Sequence, residues 1–231
     1  MISKRIFSRC ILIGLLPLIV LLLCPAQINA QNDPDNYHLI KPKHSYSVDI
    51  GLPGTTSNIS FRKLMQGVIQ AGASYQFSLK NAFGLGVGYQ YNLFIIDKFK
   101  TPQIVIGGVH MHTGYGKLAY EQFFNERTGM EYELKTGYTS MTFYSDSLQQ
   151  RIGSNLKTNS LLIQPAIAFI LTASGSTAYK WKLSYTIQNI GFNPTRIGIY
   201  NNAGFDQANF EQFIQHISFG FTFTHYFKQR E

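Results

Sequence analysis

Gly67-Val68-Ile69-Gln70-Ala71-Gly72-Ala73-Ser74-Tyr75-Gln76-Phe77-Ser78-Leu79 is followed, after Lys80-Asn81-Ala82, by Phe83-Gly84-Leu85-Gly86-Val87-Gly88-Tyr89-Gln90-Tyr91-Asn92-Leu93-Phe94-Ile95-Ile96. Both runs alternate with a period of two, the spacing at which strand side chains change face. Ile69, Ala71, Ala73, Tyr75, Phe77 and Leu79 share one face with Phe83, Leu85, Val87, Tyr89, Tyr91, Leu93 and Ile95. Gln70, Gly72, Ser74, Gln76, Ser78, Gly84, Gly86, Gly88, Gln90 and Asn92 share the other. Two such runs joined by a short polar turn predict a β-hairpin. An uncharged apolar and aromatic face backed by a small, polar one is the division of a membrane β-barrel, with lipid outside and a polar lumen inside.

The same alternation predicts six further strands. The first is His44 to Leu52. Strands four and five are His110 to Phe124 and Met130 to Tyr144, strand six is Asn159 to Ala173, strand seven is centred on Tyr179 to Gln188, and the last is Ile214 to Phe227. Pro165 predicts a bulge in strand six. Between the strands lie polar loops at Pro53–Gln66, Asp97–Val109, Ser145–Thr158 and Ile190–Phe213. The fold class expected is therefore all-β, a closed antiparallel transmembrane barrel of eight strands. Ten strands follow instead if Tyr138 to Ile152 or Arg196 to Phe213 adds a pair. Closure is required because an open edge in hydrocarbon leaves backbone groups unpaired.

Upstream, Lys4, Arg5 and Arg9 precede the apolar run Ile11 to Leu23, and Ala30 offers a small residue at a cut. This predicts a cleaved signal peptide over 1–30, then a periplasmic lead-in (31–43), the barrel (44–227) and a short tail (228–231). The apolar run is too short to span a bilayer as a helix. Both cysteines, Cys10 and Cys24, lie in that segment, which leaves the rest of the chain without a disulfide or thiolate metal site. Bulky Leu23 argues against lipidation at Cys24. Residues 31–231 carry a net charge of +5 once Lys4, Arg5 and Arg9 are set aside. With no basic run interleaved with aromatics, that charge points to anionic headgroups rather than nucleic acid.

Charges inside strands must avoid lipid, where each costs several kcal/mol near the midplane. Asp49, Lys117, Glu121, Glu131, Glu133 and Lys135 are thus expected to fill the lumen with an ionic network; rim residues simply solvated are the alternative. Pairing Phe124 with Met130 around the turn Asn125-Glu126-Arg127-Thr128-Gly129 sets Glu121 opposite Glu133 and Ala119 opposite Lys135. Tyr46, Phe77, Phe83, Tyr132, Phe169, Tyr179, Trp181 and Phe227 fall near the predicted periplasmic strand ends and form an expected aromatic girdle.

Taken together, the export segment, the alternating strands and the aromatic last strand resemble small outer-membrane β-barrel proteins of Gram-negative bacteria. The turn Asn125–Gly129 and a start at Gln31 resemble those of Bacteroidetes barrels. Gly220, Phe223 and Phe227 resemble a C-terminal assembly signal, departing from it at His225 and in the four residues that follow. The resemblance implies outer-membrane lipid, lipopolysaccharide and the barrel-assembly machinery as partners.

Little in the chain points to chemistry. Gly84-Leu85-Gly86-Val87-Gly88 lies inside a strand with no helix after it, so it fails as a nucleotide loop. Asn58-Ile59-Ser60 matches a glycosylation acceptor by chance. His110 and His112 share one strand face but are too few for a metal site. With Ser140 and Ser145 they are the only candidates for a lipid-modifying enzyme, and no nucleophile, base and orienting group can be placed among them. No cofactor is expected. The function expected is a non-catalytic scaffold whose loops meet an envelope partner; a narrow channel and a lipid-modifying enzyme are the alternatives.

Overall fold

Eight strands follow one another around a closed barrel: β1 His44–Ser57, β2 Met65–Ser78, β3 Phe83–Ile96, β4 Gly107–Phe123, β5 Thr128–Ser145, β6 Leu156–Ser174, β7 Thr177–Gly191 and β8 Phe213–Phe227. The computed structural model describes residues 43–79, 82–97, 105–125, 127–174, 176–199 and 205–227. The expected signal peptide, all but the last residue of the lead-in, and the tail lie outside the described residues. Every neighbouring pair is antiparallel, and β1 closes on β8 from His44↔Phe227 to Ser57↔Gln215. Ser78 donates its N–H to Lys43 O. Stepping from partner to partner, Ser78, Gly84, Ala119, Glu133, Ala166, Ser184, Ser218 and Pro53, returns to β1 ten residues beyond Lys43. A stagger of that size tilts the strands by about 40°.

The distribution of burial is inverted relative to a water-soluble protein. Leu52 (69% exposed), Val87 (64%) and Trp181 (59%) face outward, whereas Lys135 and Lys180 (1% each) are buried. Tyr75, Leu85 and Phe221 all lie on the outer face. An apolar belt around a polar interior is stable only in a membrane. Short connections at 79–82, 124–127 and 175–176 share one end of the barrel with the start of β1 and the end of β8. Barrels of this kind keep short turns in the periplasm, so the other end faces outward.

Several expectations are corrected. The barrel has eight strands and not ten: Tyr138 to Ile152 is the end of β5 plus helix α2 (Asp146–Ile152) of the outer end, and between β7 and β8 the described residues form two 3-10 turns, Pro194–Ile197 and Gln207–Asn209. An earlier helix, α1 (Ile59–Leu64), lies between β1 and β2. The loop Pro53–Gln66 is largely ordered structure, since β1 runs through Pro53 to Ser57 and α1 follows. Pro53 sits just past Gly51, the last β1 residue paired with β2, so its missing N–H interrupts no ladder there. Pro165 makes no bulge: Ile163↔Ile187 and Ala166↔Ser184 keep one register across it, and the shift in β6 comes at Thr172/Ser174. The β4–β5 hairpin is tighter by two residues, with Phe123 opposite Gly129. A slip of two leaves each side chain on its expected face but changes its partner: Glu121 faces Glu131, Ala119 faces Glu133 and Lys117 faces Lys135.

The helices are set by caps. Asn58 adopts φ 58° and its side chain accepts from Phe61 N–H (3.0 Å) while donating to Gln212 O (2.7 Å). The supposed glycosylation asparagine is therefore buried and engaged as an N-cap. Ser145 caps α2 by accepting from Leu148 N–H, and Gly153 ends it at φ 67°.

Candidate functional site

From the periplasmic end outward, the lumen is filled in layers. At the base, Tyr226 packs with Ile170, Ala178 and Phe123. Above it lie eight charged side chains, four acids and four lysines. Lys180 reaches Glu121 (2.9 Å) and Glu131 (2.6 Å); Lys117 reaches Glu131 (2.7 Å) and Glu133 (3.0 Å). Lys182 lies 3.0 Å from Glu133 and 3.8 Å from Asp49, and Lys135 lies 3.6 and 3.9 Å from the same two acids. Lys135 also stands 4.5 Å over the Tyr115 ring. All eight are buried. The strand alternation that turns Trp181 to lipid turns Lys180 and Lys182 inward. Sequence reasoning left both out of the network, although their position between outward aromatics was the signal that could have found them. They supply half of its positive charge.

Next comes a neutral polar layer. Ser218 donates to Gln70 (2.8 Å), Gln164 donates to Ser184 and Thr186, and Thr113 pairs with Thr139 (2.8 Å), while Ser47 and Thr224 (2.9 Å) pair lower down, on the periplasmic side of Asp49. Beside Asp49 and Lys182 the interior leaves a cavity of about 10 Å³, room for one water.

The outer end of the lumen is apolar, which the expectation of a polar interior missed. Phe94, Met111, Met141, Phe143 and Ile214 point inward, and Phe61 and Leu64 of α1 with Phe192 and Ile197 close over them. Phe61 meets Phe94 and Phe192 edge-on with centroids 5.1 and 5.2 Å apart. Ser145 and Ser147 donate to Ile197 O and Gly198 O, tying the last long connection to α2. Arg196 lies over Phe143, and burial pulls its guanidinium below the usual range.

The girdle residues Tyr46, Phe77, Phe83, Phe169, Tyr179, Trp181 and Phe227 are exposed on the outer wall near the periplasmic end, and Tyr132 is half-buried beside Tyr120. Of the assembly residues, Phe223 and Phe227 face outward and Gly220 packs its backbone against Ile50 O. Of the enzyme candidates, one is set apart from the other three. Ser145 is buried as a helix cap, whereas His110, His112 and Ser140 are on the outer wall, where Ser140 faces His112 across the ladder. Backbone N–H groups that would have to receive an oxyanion are held by that ladder.

No family model and no curated protein sequence matches the chain. Solved structures do. Neisserial surface protein A is similar at a TM-score of 0.55 with 7% identity, over 80% of this chain and 97% of that one. Ail, the attachment invasion locus protein of Yersinia pestis, gives 0.40 with 9% identity, over 80% and 98%. The outer membrane protein OprG of Pseudomonas aeruginosa gives 0.45 with 10% identity, over 81% and 98%. The fold is that of small outer-membrane barrels, and the apolar belt independently puts the chain in a membrane.

Proposed function

We propose that the protein is a sealed, non-catalytic barrel of the outer membrane that presents a rigid outer end to an envelope partner, as in a secretion or motility assembly. One observation carries this: the lumen is occupied along its whole length, by paired charges below and by packed aromatic and aliphatic side chains above. An eight-stranded barrel has just enough interior for side chains, and here they use it. Passage of an ion would require breaking the buried pairs or displacing the Phe61–Phe192 cluster. The outer connections are built for presentation, since the α1 cap Asn58 is bonded to Gln212 O and α2 is bonded to the end of the Pro194–Ile197 turn through Ser145 and Ser147.

The test is conductance of the folded protein in planar bilayers, with folding checked by the faster gel migration of unboiled samples. Silence is expected; discrete ohmic steps would replace this proposal with the narrow channel. The presenting role has its own test in cells. A photo-crosslinker at Ile152, exposed on α2, should trap one specific protein, and a blank there and at Lys63 would remove the partner from the proposal.

A further inference from the structure

A wall that faces hydrocarbon should carry apolar side chains, because lipid tails accept no hydrogen bonds. One sector departs from this. Toward the outer end of β4, β5 and β6, one outward row reads His112, Ser140, Asn159 and the next reads His110, Thr142, Lys157. The histidines are held in place: Tyr91 Oη lies 2.6 Å from His110 Nδ1, Tyr89 Oη bonds His112 Nδ1, and His110 stacks on Tyr144. A phenol that donates to Nδ1 leaves the ring proton on Nε2, where it can donate outward. Lys157 and Asn159 are exposed beside them and add an ammonium and an amide.

Nearer the middle of the wall, β4 continues on the same face with Gly114 and Gly116. Tyr89 and Tyr138 flank Gly114, while Val87 and Thr136 flank Gly116. A Cβ placed at Gly114 would meet nothing within 4 Å. A shallow trough therefore leads from the polar rows down between bulkier neighbours.

We propose that this sector binds a phosphorylated glycolipid of the outer leaflet. The phosphate takes charge-assisted bonds from Lys157 and bonds from the two imidazole Nε2–H groups. One acyl chain lies in the trough over Gly114 and Gly116. Polar donors and apolar trough occur in the order in which such a lipid presents its headgroup and its tail. The site lies on the outside of the barrel and does not depend on whether the lumen conducts or on what the outer end meets.

The test is native mass spectrometry of the folded barrel in detergent, doped with bis-phosphorylated lipid A or with phosphatidylglycerol. Wild type should retain lipid A about tenfold over phosphatidylglycerol. Lys157→Gln with His112→Phe should abolish that preference, as should removing the phosphates from the lipid. Gly114→Leu with Gly116→Leu leaves the headgroup partners intact and should lower retention by filling the trough. Equal retention of both lipids by wild type would overturn the proposal, and so would unchanged retention in both variants once gel mobility has confirmed that they fold. A protein held at this face in place of lipid would also overturn it.

Discussion

Replacing Lys180 with methionine keeps most of the side-chain volume and removes the cation that joins Glu121 (2.9 Å) to Glu131 (2.6 Å). These two carboxylates face each other across the β4–β5 ladder, a pairing that sets Cβ atoms about 5 Å apart. Glu131 keeps Lys117 at 2.7 Å, so the uncompensated charge falls on Glu121. Removing one partner of a buried ion pair costs about 3–5 kcal/mol. An upper limit comes from the alternative of neutralising one acid: loading a proton onto an ordinary glutamate at pH 7 costs about 3.7 kcal/mol. Lys180→Met should therefore destabilise by about 3–4 kcal/mol, a large part of the 5–15 or so typical of a domain. Adding Glu121→Gln removes the stranded charge and leaves Glu131 with Lys117, so the double variant should cost only about 1–2 kcal/mol. Urea unfolding in phospholipid vesicles measures both, followed by Trp181, the chain's one tryptophan. If Lys180→Met lies within about 1 kcal/mol of wild type, as for solvated pairs, or if the double variant is no better than the single, the lumen charges are not coupled in the way described.

Other outcomes follow from single contacts. A Cβ at Gly67 would lie 1.8 Å from Pro53 O, so Gly67→Ala should abolish the fast-migrating folded band, while Gly114→Ala should fold within about 0.5 kcal/mol of wild type. Phe61→Ala empties the centre of the apolar closure and should cost about 3–5 kcal/mol in the same urea titration. Asn58→Ala loses a helix cap and the bond to Gln212 O and should cost about 1–2 kcal/mol. Trp181 faces lipid, so brominated acyl chains should quench its fluorescence strongly; an unquenched signal would place it outside the membrane.

Which way each strand side chain points was legible in the sequence because facing follows from a period of two. Asp49, Lys117, Glu133 and Lys135 could be turned inward without knowing a single partner. Register was not legible to the same precision. Moving the β4–β5 turn by two residues preserves every facing and changes every neighbour, so Glu121 against Glu133 and Glu121 against Glu131 look alike in the pattern. In the sequence the outer connections look like polar loops because their caps are single residues. Asn58 and Ser145 mark helix starts only when the following apolar residues, Phe61 and Leu148, have somewhere to pack. That somewhere is the mouth of the barrel, a tertiary feature. The same holds for Phe94, Met111, Met141 and Phe143: alternation turns them inward, but only closure of the barrel brings them together as a core.

Eight buried charges that balance one another leave the lumen without net charge. The excess of five positive charges in residues 31–231 therefore belongs to the rest of the chain. A neutral lumen is expected on physical grounds, since an unpaired charge in a closed, low-dielectric interior would be stabilised by nothing nearby. Interactions with anionic lipid or with a charged partner are thus governed by exposed residues such as Lys63 and Lys157, which salt screens over about 10 Å at 0.1 M. The paired interior is screened far less. Raising ionic strength should weaken attachment of the barrel's surface to its surroundings while leaving its unfolding midpoint nearly fixed, and the two effects separate what the protein binds from what holds it together.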